Sequence, residues 1–383
     1  MTSETRLFET HARQLDALAA DDRLRVLRPR QGLDFVSNDY LALANSPELR
    51  AALFDGIERG LPAGSGGSRL LRGNHEEHEA LESEAARHYG SEAALFFATG
   101  FTANAALFAT LPQRGDLVVH DELIHASAHD GMKLGRAERV AVAHNNADAF
   151  ETAIRNWRAR GGLGRPWIAV ESLYSMDGDR APLAALAEVA ERNEAVLIVD
   201  EAHATGVFGP EGRGLSASLA RQENVIALHT CGKALGCEGA LLCAPRVLVD
   251  FLVNRARPFI FSTASSPFVA HMVRRAIEVV AAQPQRRAAL DALVEHAGAR
   301  LHDRLGVAPT GSQIIPVIIG DNGRTMAIAS ELQSAGFDVR GIRPPTVPAG
   351  TARLRVSITL NVTAADIDAL VDAMEGAIAR IPA

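Results

Sequence analysis

His229-Thr230-Cys231-Gly232-Lys233-Ala234-Leu235-Gly236 decides how the rest of the 383-residue chain is read. The apolar run before it, 225–228, is short, rich in branched residues and closed by glycine, which predicts a buried strand. Lys233 follows just past the strand end, between Gly232 and Gly236. Small neighbours let backbone or a flat ligand approach its amine. Lys233 is therefore a candidate functional amine, forming an imine or contacting a phosphate.

Outward from this loop, apolar or branched runs recur at 94–98, 117–119, 140–143, 167–170, 196–199, 225–228 and 240–243, with helical stretches such as 182–193 between most of them. The alternation predicts an α/β fold: a mostly parallel seven-stranded sheet covered on both faces by helices. Ligands of such sheets bind beyond the carboxyl ends of the strands. Four of those ends are polar. Thr99-Gly100-Phe101 opens a helix, whose first N–H groups can meet a phosphate. The others are His120-Asp121-Glu122-Leu123-Ile124-His125, Glu171-Ser172-Leu173-Tyr174-Ser175 and Asp200-Glu201-Ala202-His203. Four such endings and the lysine loop point to a built site.

A smaller α/β unit follows, with strands expected at 314–319, 337–341 and 354–358 and helices at 324–335 and 364–381. Prolines fix the loop Ile342-Arg343-Pro344-Pro345-Thr346-Val347-Pro348 within it. The expected division is an N-terminal arm over 1–45, a large domain over 46–270 and a small C-terminal domain over 271–383.

Composition narrows the function. The chain is 47% hydrophobic and 22% charged, ordinary for a globular protein. A net charge of −7 gives no basic footprint for nucleic acid or an anionic membrane. No apolar run approaches the ~20 residues that span a bilayer, and the polar N-terminus has no signal-peptide pattern. Cys231, Cys237 and Cys243 are odd in number and close together, which fits core residues in a reducing cytoplasm better than a disulfide framework or zinc.

Some features stay open at this level. Gly64-Ser65-Gly66-Gly67-Ser68-Arg69 reads as a close-packing loop or a phosphate cradle, and it lacks the P-loop lysine. His75 and His78 share a helical face but have no obvious partner ligand. A helical stretch at 7–18 precedes Arg23, Arg25, Arg28 and Arg30, either a solvated arm or an anion contact. His120, His125 and His129 are spaced irregularly for a metal-dependent hydrolase. The G-x-G-x-x-G fingerprint of a nicotinamide enzyme is absent.

An imine-forming lysine needs an electrophilic partner, and pyridoxal 5'-phosphate supplies one. That cofactor needs a carboxylate on its pyridinium nitrogen, a phosphate anchor and a flat group against its ring. Asp200 suits the first. The N–H groups of Gly100 and Phe101, with the Thr230 hydroxyl, suit the second. His125 suits the third, and His203 could reach the ring hydroxyl.

These residues, with the Ser37-Asn38-Asp39-Tyr40-Leu41, Gly-Ser-Gly-Gly-Ser-Arg, His-Ala-Ser, Ser-Met-Asp-Gly-Asp, Asp-Glu-Ala-His and Thr-Cys-Gly-Lys segments in this order, resemble the α-oxoamine synthases. That family has the aspartate-aminotransferase fold and uses pyridoxal phosphate. The likeness runs from about Ser37 to the C-terminus. It implies that Lys233 carries the cofactor and moves the substrate α-proton, that Asp200 pairs with the pyridinium, and that His125 stacks on the ring. It implies that Ser175 and His203 hold the O3 side, and that Gly100, Phe101 and Thr230 hold the phosphate, with Ser262 and Thr263 reaching across from a second subunit of a homodimer. It implies that Arg355 takes the amino-acid carboxylate with help from Asn38, that Thr346 contacts substrate, and that Arg23, or Arg25, meets the distal carboxylate of the acyl chain. The Pro-Pro-Thr loop and Gly320-Asp321-Asn322 look most like the biotin-pathway member, which condenses L-alanine with a pimeloyl thioester and releases carbon dioxide. A relative using glycine or serine with another acyl-CoA is the alternative. Departures from the family pattern are few; glycine is usual where Ala42 stands.

Overall fold

The computed structural model describes residues 7–27 and 29–382, so Arg28 of the arginine cluster lies outside the described residues. The chain divides into two compact units, one of residues 38–175 and 179–289, the other of residues 1–37, 176–178 and 290–383.

The first unit holds a sheet of seven strands: β2 (Ala93–Phe97), β3 (Leu117–Asp121), β4 (Glu138–Val142), β5 (Pro166–Glu171), β6 (Val196–Asp200), β7 (Val225–Thr230) and β8 (Ala240–Ala244). Their order across the sheet is β2-β8-β7-β6-β5-β3-β4. β8 is antiparallel to both neighbours, and β3 to β7 are parallel. The alternation of residues along each strand explains the continuous apolar runs. Val118 and Ile198 enter one buried cluster, with Leu107 and Phe108 of the helix Gly100–Thr110. Leu117, Val119, Leu197 and Val199 enter another, with Phe150 and Ile154 of Ala147–Ala159 and Leu186 of Leu183–Arg192. Both faces are covered, so both sets must be apolar.

Several open features resolve locally. His75 and His78 cap the helix Glu76–Tyr89: His75 Nδ1 accepts from Glu77 N (3.2 Å), and His75 N donates to His78 Nδ1 (3.2 Å). His78 Nε2 meets the Ser265 carbonyl at 2.7 Å. The glycine-rich loop packs on the same segment, with Ser65 Oγ donating to Ser265 O (2.6 Å) and Ala264 N to Gly67 O (2.9 Å). Cys231 and Cys243 are buried and Cys237 is half-buried, all as free thiols. Ala42 has φ +51°, a left-handed conformation that costs a residue with a Cβ ~1 kcal/mol and glycine almost nothing.

The second unit is built on a three-stranded antiparallel sheet, β11 (Arg340–Ile342), β12 (Ala352–Ser357) and β9 (Ile314–Gly320). Helices Asn322–Ser334 and Ala364–Arg380 accompany it. The single strand expected at 337–341 is two strands. Val339 N turns back to Phe337 O (3.0 Å), so β10 (Phe337–Asp338) pairs in parallel with β1 (Leu33–Asp34) while β11 pairs with β12. That pairing ties the segment after the first helix, Glu9–Ala20, into this unit. Among the described residues no helix is long and apolar enough to cross a membrane.

Candidate active site

The carboxyl ends of β2, β3, β5, β6 and β7 bring the polar strand endings of the first unit to one edge of its sheet. Asp200 is the last residue of β6 and is 7% exposed. Its two oxygens are held separately: Asn104 Nδ2 donates to Oδ2 at 2.8 Å, and Ala202 N donates to Oδ1 at 3.0 Å. Asn104 lies on the helix Gly100–Thr110, is itself buried, and also donates to Ser127 Oγ (2.9 Å). Ser127 Oγ in turn meets His125 Nδ1 at 2.7 Å. One chain of bonds therefore runs from the Asp200 carboxylate to the His125 ring.

His125 caps the helix Ala126–Leu134 and keeps an exposed face. Desolvation holds its pKa below the ordinary imidazole value; the Asp200 charge opposes this and the Lys233 charge adds to it. The same two charges act on Glu171, the residue of β5 in register with Asp200. Glu171 is fully enclosed. Burial, then the Asp200 charge, raises its carboxyl well above the usual range, with the Lys233 charge and the backbone N–H groups of Ser175 and His125 opposing. Lys233, Asp200, His125 and Glu171 thus share one electrostatic neighbourhood.

The lysine loop is shaped by backbone. Gly236 N donates to Lys233 O (2.8 Å), and Gly236 has φ +64°. A Cβ there would lie 2.4 Å from Ala44 N, so only glycine lets this loop rest on the segment after Tyr40. His203, 5% exposed, meets Tyr40 Oη through Nδ1 at 2.7 Å, and Tyr40 Oη donates to Asn38 Oδ1 at 2.9 Å. Since the phenol gives its proton to Asn38, its oxygen accepts from His203 Nδ1–H.

A helix start and a hydroxyl come together at the ends of β2 and β7. Thr99 caps the helix through Oγ1 (Thr102 N, 3.0 Å), and the helix's own bonds leave the first N–H groups, Gly100 and Phe101, unused. A Cβ on Gly100 would stand 3.5 Å from Thr230 Oγ1, so the absent side chain keeps room between the helix start and that hydroxyl. The donor set fits pyridoxal phosphate: a fixed carboxylate for a ring nitrogen, an imidazole face, a lysine amine, and helix N–H groups with a hydroxyl for the phosphate. Ser175 is half-buried in the turn after β5. Ser262 and Thr263 are exposed beside Phe261, in the stretch that meets the glycine-rich loop.

The second unit carries the remaining predicted residues. Arg355 on β12 is 6% exposed, and its Nη1 donates to Ser357 Oγ (2.7 Å). Arg353 on the same strand is taken up by Asp177, Thr351 O (3.0 Å) and Thr351 Oγ1 (3.1 Å), so the two arginines have different surroundings. Arg23 Nε donates to Pro344 O (3.1 Å), and Arg25 Nη2 donates to Thr346 Oγ1 (3.3 Å). Arg343 joins them: its pKa is lowered by desolvation and then by the charges of Arg25 and Arg23, with Asp22 opposing. Three guanidinium groups thus crowd the Pro-Pro-Thr turn, where the sequence alone sets Arg23 against Arg25 as single choices.

Sequence reasoning gives no role to Asn104, Glu171, Tyr40 or Arg343. Asn104 has a legible signal, a polar residue inside an otherwise apolar helical stretch. The others become visible only through their neighbours.

A sequence model of the family Aminotransferase class I and II matches residues 30–374. The 8-amino-7-oxononanoate synthase of Anaeromyxobacter dehalogenans is 43% identical over 96% of this chain and 94% of its own length. That of Burkholderia cenocepacia is 41% identical over 97% and 93%. Among solved structures, a serine palmitoyltransferase from Sphingomonas wittichii superposes with a TM-score of 0.88 at 27% identity over 100% of both chains. An 8-amino-7-oxononanoate synthase from Francisella tularensis gives 0.77 at 27% over 91% of this chain and 98% of its own. With the parallel sheet, the strand-end constellation and a likeness spanning nearly the whole sequence in agreement, the chain belongs to the aminotransferase class I and II family, among the 8-amino-7-oxononanoate synthases.

Proposed function

We infer that this protein is a pyridoxal-phosphate-dependent acyltransferase that condenses L-alanine with a pimeloyl thioester, giving 8-amino-7-oxononanoate, carbon dioxide and a free thiol for biotin biosynthesis. The observation that carries it is the Lys233, Asp200 and His125 neighbourhood at the strand ends, in a chain 43% identical to synthases of that name. Pyridoxal phosphate, when bound, supplies the electron sink for breaking bonds at an amino-acid Cα.

The chain's residues supply the rest. The Lys233 amine would hold the cofactor, and Nζ is the base placed to take the Cα proton of alanine. Asp200, oriented by Asn104 and Ala202 N, holds the ring-nitrogen proton. His125 would lie against the ring, and His203 and Ser175 would hold its O3 side. Gly100, Phe101 and Thr230 bind the phosphate. Arg355 takes the alanine carboxylate in a bidentate fork, with Asn38 assisting. Thr346 and the cluster of Arg23, Arg25 and Arg343 take the acyl chain's distal carboxylate. The new bond joins alanine Cα to the thioester carbonyl; the thiolate leaves, carbon dioxide follows from the alanine carboxylate, and a proton returns to Cα.

A homodimer completes the site in this reading. Leu53, Phe54 and Ile57 are exposed on the helix Pro47–Glu58, and Leu71 and Phe261 are exposed on other segments, apolar side chains that a second copy would cover. Ser262 and Thr263, next to Phe261, then reach the partner's phosphate. The free thiols of Cys231, Cys237 and Cys243 fit a cytoplasmic protein.

A second reading follows from the likeness to serine palmitoyltransferase: serine and a long-chain acyl-CoA as substrates. An assay offering alanine, glycine and serine against pimeloyl-CoA, pimeloyl-carrier protein and palmitoyl-CoA separates the two. Alanine with a pimeloyl thioester is the expected pair; turnover only with serine and palmitoyl-CoA would replace the first reading. Borohydride reduction of the holoenzyme should fix the pyridoxyl group on Lys233, and finding it on Lys133, the other lysine of the chain, would refute the assignment.

A further inference from the structure

His144, just past the end of β4, bridges two carboxylates. Nδ1 lies 2.9 Å from Asp121 Oδ1, and Nε2 lies 2.7 Å from Asp179 Oδ2. Carboxylates only accept, so both ring nitrogens donate and the ring is an imidazolium. The two carboxylates differ in how else they are held. Asp121, the last residue of β3, has a fully enclosed side chain. It also accepts from Leu123 N (2.9 Å) and Asn145 N (2.8 Å), so backbone fixes it. Asp179 sits at the base of the turn that carries Ser175. Tyr174 N donates to Asp179 O (2.9 Å), Ala181 N donates to Ser172 O (3.2 Å), and Leu173 and Arg180 form an antiparallel bridge. The Asp179 carboxylate is gripped from outside this turn by His144 and by Asn145 Nδ2 (2.6 Å). The Tyr174 ring packs edge-on against His144, with centroids 4.5 Å apart. Glu122 adds a third carboxylate near His144, its Oε1 accepting from His144 N at 3.0 Å.

We propose that His144 is a positioning residue for Ser175: it ties the base of the Ser175 turn, through Asp179, to an anchor at Asp121. The proposal rests on the assignment of Ser175 to the O3 side of the cofactor. His144 touches neither substrate nor cofactor. It fixes where the turn presents its hydroxyl, because Tyr174 and Asp179, on either side of Ser175, are both held against the imidazolium.

Two conservative variants divide the bridge. The amide nitrogen of Gln reaches the place of Nε2 and keeps Asp179; that of Asn reaches the place of Nδ1 and keeps only Asp121. Two readouts apply. One is amide hydrogen exchange of a peptide covering 172–181 in the cofactor-free protein. The other is the dissociation constant and visible absorption of pyridoxal phosphate added to it. A bridge cut at either end no longer ties the turn to its anchor, so His144→Asn and His144→Gln should each speed exchange in that peptide and weaken cofactor binding by about tenfold. Asp179→Asn keeps the side chain's size and should behave as His144→Asn does, so a His144 variant that fails to fold does not remove the test. Wild-type exchange and affinity in either His144 variant would overturn the proposal. Ser175→Ala separates the underlying reading: unchanged cofactor affinity and spectrum in that variant would overturn the assignment of Ser175, whatever the exchange data show of the clamp.

Discussion

Asn104 offers the sharpest test of how the site is built, because a single amide serves the Asp200 carboxylate at 2.8 Å and the Ser127 hydroxyl at 2.9 Å. Asn104→Ala deletes both donors and leaves Asp200 Oδ2 without its amide in a residue only 7% exposed. A hydrogen bond to a charged group contributes ~1.5–3 kcal/mol, and the neutral bond to Ser127 adds about 1. Loss of about 2–3 kcal/mol of stability is expected in urea denaturation of the cofactor-free protein, the bonds being too closely linked to add in full. Turnover should fall as well, since Asp200 is then oriented by Ala202 N alone; each tenfold loss corresponds to ~1.4 kcal/mol of barrier. A double-mutant cycle isolates the pair. In an Asp200→Asn background the charge is gone, so Asn104→Ala should cost ~1 kcal/mol less than in the wild type. If Asn104→Ala unfolds at the wild-type urea concentration, or the cycle shows no coupling, Asn104 does not hold the Asp200 carboxylate.

Arg355→Lys keeps the charge but loses the two-pronged fork, so equilibrium titration should show alanine binding weakened far more than acyl-CoA binding; equal weakening would remove Arg355 from the carboxylate role. Gly236→Ala puts a Cβ 2.4 Å from Ala44 N at φ +64°, and should cost more than ~2 kcal/mol in urea denaturation and lower cofactor loading on Lys233; an unchanged midpoint would mean the loop is free to shift. The His144 pKa is pulled down by burial but lifted to about 10 by the Asp121 and Asp179 carboxylates. A folded pKa above the ordinary ~6.5 means that its stabilisation is whole below that pH and is lost as pH rises through about 10. The stability difference between wild type and His144→Asn should therefore shrink from neutral pH to about 10.5; a constant difference would mean the ring is not the titrating group.

Much of this protein is legible in the sequence. The seven apolar runs are the seven strands of the large sheet, each within a few residues, because a strand buried on both faces must be apolar at consecutive positions. Strand ends in such a sheet collect at one edge, so Asp200, His125, His203 and Lys233 can be grouped from their places alone. Two kinds of information lie beyond the sequence. One is a strand's partner: 337–341 reads as one strand, but Val339 turns the chain so that its halves join different strands, and the N-terminal segment enters that unit through a pairing no local pattern announces. The other is what each polar atom is bonded to. Asn104 beside Asp200, Tyr40 against His203, the raised carboxyl of Glu171 in the sheet and His144 between two carboxylates depend on residues far apart in the chain. Local pattern reports the period and polarity of a segment. Hydrogen-bond partners and burial are fixed only when distant segments pack, and they determine which carboxyls stay charged and which side chains hold the site in place.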